Sequence, residues 1–191
     1  MEEIIMKRIL AVLMAAMLML SLVACGGAGK TESTIASPLE LLNTVWAAYP
    51  EDQKFAVAGG DMTEANMNME GPGVYGIEDT EALDASLGFP AASVAKIDSA
   101  ASLMHMMNAN TFTCGAYHLV NADDKDALVS ELKENIMNRQ WMCGFPDTLV
   151  IVSVEDYVVA YFGNAEIITN FTTTLTTAYA QATVVCEESL V

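Results

Sequence analysis

Apolar and polar positions divide the chain into a long apolar run, a polar spacer and a series of short periodic segments. The run from Ile9 to Ala24 follows the cationic pair Lys7 and Arg8 and is almost unbroken. It is short for a membrane-spanning helix, which takes about 20 apolar residues, and its grammar predicts a secretory leader over residues 1–24. The glycines and small polar residues from Gly26 to Thr34 predict a flexible tether over 25–36. Ser37-Pro38 then opens a helix, with serine as N-cap and proline at the first helical position. Leu39, Leu42, Val45 and Trp46 share its apolar face, and Pro50 stops it.

Beyond Pro50 the periods shorten. Phe55, Val57 and Ala58 predict a short strand, Gly59-Gly60-Asp61 and Gly71-Pro72-Gly73 predict turns, and Gly76 to Leu83 a short acid-led helix. Ser93 to Leu103 and Thr111 to Val120 read as strands. In the second, Phe112, Cys114, Ala116 and Val120 share one face and Thr111, Thr113 and Tyr117 the other, which predicts half-burial. A helix follows, capped by Asn121 or Asp123, with Leu128, Leu132 and Ile136 stacked along it and Arg139 near its end. Leu149 to Val154 and Tyr157 to Phe162, joined by Glu155-Asp156, predict a hairpin. The last helix starts near Asn164, with Ile167, Ile168, Phe171, Leu175 and Tyr179 on one face; its threonines are poor helix formers, so packing must hold it. The order predicts an α+β domain over 37–183: a small, mainly antiparallel sheet with amphipathic helices packed on one face, then a tail over 184–191.

The tetrapeptide Leu22-Val23-Ala24-Cys25 resembles a bacterial lipobox. That resemblance implies cleavage before Cys25, lipid on that cysteine, and attachment to the extracytoplasmic face of the cell membrane. Each buried methylene contributes about 0.8 kcal/mol, so two or three acyl chains hold firmly where one does not.

Charge narrows the partners. The formal charge is -17, with 25 acids against 8 basic residues, and the leader carries off two of each. A surface without Lys or Arg clusters cannot displace counterions from phosphates, which excludes nucleic acid and disfavours anionic headgroups. A content of 53% apolar residues is enough to build one core.

No catalytic signature emerges. The chain has no G-x-S-x-G elbow, and with only two histidines a Ser-His-Asp set would have to use His105 or His118. Carboxylate pairs are too abundant to be a signal. Zinc lacks its local ligand pairs among His105, His118, Cys114, Cys143 and Cys186. The run from Asn121 to Asp126 interrupts a calcium pattern with Lys125, and helix capping accounts for it. Met104-His105-Met106-Met107 is the one local oddity: Met104, His105 and Met106 are soft ligands of the kind monovalent copper takes. Cys114, Cys143 and Cys186 remain once Cys25 is lipidated, an odd number that allows one disulfide or none.

Several features together resemble a family of uncharacterised lipoproteins of clostridia-like bacteria built on a domain of unknown function. They are the Met106-Met107-Asn108 patch before a strand, the acid-rich helix, the Phe145-Pro146-Asp147 loop and the hairpin around Tyr157-Val158-Val159. The resemblance brings no catalytic residues and no cofactor. The expectation is a membrane-anchored, non-catalytic binding or envelope-accessory module for a protein, peptide or cell-wall ligand. The alternatives are a soft-metal lipoprotein using the Met/His patch and, third, an enzyme with dispersed carboxylates.

Overall fold

The computed structural model describes residues 33–61, 63–142 and 144–191; the leader, Cys25 and the tether up to Glu32 lie outside them. Its strands are β1 (Val57–Ala58), β2 (Gly73–Tyr75), β3 (Ile97–His105), β4 (Phe112–Leu119), β5 (Thr148–Val154), β6 (Tyr157–Gly163) and β7 (Thr183–Ser189). All join one antiparallel sheet in the order β1-β3-β4-β6-β5-β7, with β2 sharing the β3 edge with β1. The helices are α1 (Pro38–Ala48), α2 (Thr80–Leu87), α3 (Lys125–Met137) and α4 (Ala165–Ala178). The fold is α+β, as the patterning predicts.

The helices do not pack on one face as expected; they cover both. Topology gives the reason. The crossover β4-α3-β5 passes over β6, and β6-α4-β7 passes over β5, so both move the same way across the sheet. They start from antiparallel strands, however. Connections of the same, right-handed sense from oppositely directed strands must then lie on opposite faces. Accordingly Phe171 and Leu175 of α4 join Leu42 and Val45 of α1 over Val150, Val152, Val159 and Tyr161. Leu128, Leu132 and Ile136 of α3 join Leu83 and Leu87 of α2 over Leu149, Ile151, Val158 and Phe162. Strands buried on both faces read as nearly continuous apolar runs, and β6 is buried at every position. The half-burial expected for the strand from Thr111 fails for the same reason: β4 is buried throughout except at His118.

Local chemistry sets the helix ends. The Ser37 hydroxyl accepts from Glu40 N–H at 3.1 Å, and the Glu40 carboxylate reaches back to Ala36 N–H at 3.0 Å, which fixes the start of α1. Asn164 caps α4 by accepting from Glu166 N–H. Along α4, Thr169, Thr172, Thr173, Thr174, Thr176 and Thr177 each return their hydroxyl to the carbonyl four residues back. Helix propensity does not favour that sequence, and burial of Ile168, Phe171 and Leu175 holds it.

Two boundaries move. Residues expected as a tail form β7, the strand paired with β5. Ser33 to Ala36, expected within the tether, is part of the folded unit that runs from Ser33 to Val191, and Ile35 is buried in the core.

The register gives the sheet two ends. At one, Glu155-Asp156 joins β5 to β6 beside the end of β4. At the other, Phe112, Gly163 and Thr148 are in register, and the β3-β4 and α3-β5 connections emerge together. Seven residues of β5 separate the ends by about 20 Å.

Candidate functional site

The chain enters at the first end. Glu155 sits there in the left-handed region (φ 50), which a side chain other than glycine rarely adopts. Its carboxylate accepts from the Ser33 hydroxyl, from Thr34 N–H at 2.7 Å, from the Thr34 hydroxyl and from Gln181 Nε2 at 2.8 Å. Its carbonyl accepts from Lys125 Nζ at 2.9 Å. Hydrogen bonds from Ser33 and then Thr34 outweigh partial burial and lower the carboxyl to about 2. We call this end the clamp pole. Nothing in the sequence marks the clamp, because Ser33 and Thr34 lie more than a hundred residues from Glu155 and the turn has no glycine.

The opposite end exposes apolar side chains that no other described residue covers. Between β3 and β4 the turn is held by its polar side chains. His105 Nδ1 accepts from Met107 and Asn108 N–H, Asn108 Oδ1 accepts from Asn110 N–H, and Thr113 donates to Ala109 O. Asn110 Nδ2 then donates to Met142 O at 2.7 Å and Gly144 O at 3.0 Å, tying this turn to the α3-β5 connection. With the backbone so engaged, the large apolar side chains point out. Met107 is 81% exposed, Met142 78%, Phe145 68%, and Met106 and Met137 42% each. Pro146 beneath them is buried, and Asp147 accepts from Ala165 N–H at the start of α4. This is the methionine pole.

The three proposed soft ligands do not converge. Met104 packs with the cluster around α3, whereas His105 stacks on Phe55 at 5.4 Å, on the face of α1 and α4. Neighbours on a strand point to opposite faces, and His105 Nδ1 is taken up by the turn. Met106 lies past the strand, exposed. Among the described residues no group of three or more His, Cys, Asp or Glu is placed to hold a metal ion.

The other candidates resolve into structural roles. His118 Nδ1 lies 2.7 Å from Asp98 Oδ1, and Ser99 donates to the same oxygen, so the serine meets the acid and not the histidine. Burial alone would raise the Asp98 carboxyl; the hydrogen bonds from His118 and Ser99 outweigh it and lower it. In the acidic run, Asn121 Oδ1 accepts from Asp123 N–H and so caps a short 3-10 turn, Ala122–Asp124, and not α3 as expected; α3 follows from Asp124, which makes no side-chain cap bond. Cys114 is fully buried in the cluster of α1 and α4, its thiol pushed up by burial, and Cys186 packs on the other face. Both are free thiols, and the sheet between them forbids their pairing. Cys143 lies outside the described residues, as does the lipidation site Cys25.

A cleft of about 410 Å³ lies between Asp61, Thr63, Tyr75, Glu78, Asp79 and Ser86. Burial would raise the Asp61 carboxyl, but Thr63, Asn66 and Gly76 donate to it and hold it at about 2. Asp79 caps α2 through Ala82 N–H, and the Tyr75 hydroxyl donates to Ala82 O or Ser86.

Comparison with protein-family models, curated proteins and solved structures finds no match to this chain. Among the described residues no helix is long and apolar enough to cross a membrane.

Proposed function

We propose that the chain is a lipid-anchored lipoprotein on the extracytoplasmic face of the cell membrane, one of the clostridia-like lipoproteins it resembles, acting as a non-catalytic binding module of the envelope. The observation that carries the binding reading is the methionine pole: Met106, Met107, Met142 and Phe145, four large apolar side chains exposed on the two tied connections at the end of the sheet opposite Ser33. Exposed apolar groups are ordinary when scattered; clustered on two tied connections they mark a contact surface. Methionine suits such a surface because its unbranched, polarisable side chain adapts to differently shaped partners.

Two measurements test the halves of this reading. Labelling cells with a palmitate analogue should mark the wild type and leave Cys25→Ala unlabelled and released from membranes; labelling that survives Cys25→Ala overturns the anchor. A photo-crosslinking residue at position 107 should give a discrete adduct in cells, lost with Met142→Glu, while the same residue at Glu64 gives none. Equal adducts at both positions overturn the binding pole.

A further inference from the structure

We infer that the methionine pole receives a peptide segment of a protein partner, apolar along its centre and carrying Lys or Arg at its flanks; this rests on the binding reading above. The apolar centre follows from the exposed side chains of Met106, Met107, Met142 and Phe145. The basic flanks follow from charge. Each of the five basic residues described is already engaged within the fold. Lys54 bonds to Glu51 and lies over Trp46, Lys96 bonds to Glu131, Lys125 to Glu155 O, Lys133 to Glu188, and Arg139 to Ala85 O while stacking on Trp141.

Asp147 at the pole is bonded to the start of α4, but two other acids beside it have no such cover among the described residues. Asp52 follows the end of α1, which closes beside Phe55 and His105, and Glu166 stands in the first turn of α4; both are exposed. With a chain charge of -17, the potential over the pole is negative, so a partner must bring positive charge to be steered there and held. The same field opposes a second copy of this chain and an anionic bilayer, each of which would bring like charge. The surface that receives the segment is itself fixed, since Asn110 ties the two connections together and so keeps the β3-β4 turn beside Met142.

Two synthetic peptides with the same alternation of leucine and charge, one with lysine and one with glutamate, are titrated against the full chain with methionine methyl groups carbon-13 labelled. The lysine peptide is expected to shift the methyl signals of Met106, Met107 and Met142 and leave the core methionine Met104 unmoved. Binding should weaken with added salt and by about tenfold or more in the variant Met107→Glu/Met142→Glu. Those positions are exposed, so that variant should keep its unfolding midpoint; Phe145→Ala, also exposed, gives a second reading of the same loss. Equal binding of the glutamate peptide overturns the basic partner and leaves a binding pole. No shift with either peptide overturns both. Anionic vesicles that shift the same methyl signals and displace the lysine peptide make a membrane surface the occupant and overturn the proposal.

Discussion

Replacing Glu155 by glutamine tests whether the clamp holds the start of the domain. Glutamine keeps the shape and one acceptor oxygen, but turns an N–H₂ toward groups that are themselves donors: Thr34 N–H and the Ser33 hydroxyl meet one carboxylate oxygen, the Thr34 hydroxyl and Gln181 the other. The carboxyl is lowered from 4.5 to about 2, chiefly by Ser33 and Thr34. At 1.36 kcal/mol for each unit that difference would correspond to ~3 kcal/mol, and screening at this partly exposed site reduces it to ~1 kcal/mol. Because the folded value lies below the unfolded one, the contribution is complete above pH 4.5 and is lost as pH falls toward 2. Urea unfolding of wild type and Glu155→Gln at pH 7 should differ by that ~1 kcal/mol, and the gap should close at the acid end of the window. Hydrogen exchange at the Thr34 amide should speed up in the variant at neutral pH. Identical unfolding curves at pH 7, with unchanged exchange at Thr34, would refute the clamp.

Four further outcomes follow from the core. Tyr117 is fully buried and its hydroxyl has no partner among the described residues, so Tyr117→Phe should raise stability by about 1 kcal/mol, read from denaturant midpoints. Gly115→Ala should do the reverse, because the new methyl would stand 2.1 Å from the Tyr117 hydroxyl inside the core; a loss under half a kcal/mol, roughly, would show the ring can move aside. Phe171 lies 5.0 Å from the rings of Phe112 and Tyr161 and is fully buried, and Phe171→Ala should cost about 3–5 kcal/mol in thermal or urea unfolding. Iodoacetamide at neutral pH should label Cys186 in the native protein and reach Cys114 only on unfolding, as mass spectrometry of the modified peptides would show.

Local signals in the sequence were strong where one short stretch determines an element. Ser37-Pro38 started α1, the spacing of Leu128, Leu132 and Ile136 gave the buried face of α3, and the apolar runs around Glu155-Asp156 gave the β5-β6 hairpin. What escaped depends on distant partners. β7 has exposed valines and two acids, so only its pairing with β5 makes it a strand. β2 is three residues long and exists because β3 offers it an edge. The soft-metal alternative for the Met/His patch needs consecutive positions of β3 to meet at one point, and the pleat sends Met104 and His105 to opposite faces. Phe145 and Met142 joined the site only through Asn110, a contact between connections more than thirty residues apart.

Opposed crossovers also bear on where the proposed partner could dock. With α1 and α4 on one face and α2 and α3 on the other, neither face can receive a partner without displacing a core helix. The β3 edge is occupied by β1 and β2. The β7 edge is free, but it carries an irregularity at Val185 and the acids Glu187 and Glu188, features that oppose pairing with another strand. The clamp pole is filled by Ser33 and Thr34. The methionine pole differs from all of these: its polar groups are turned inward to hold the backbone and the apolar side chains are left outside. A purely structural connection would have the opposite polarity, since Asn108, Asn110 and His105 could face water at no cost while the methionines were buried. The inversion costs hydrophobic stabilisation in the free protein, and binding of an apolar segment would recover it.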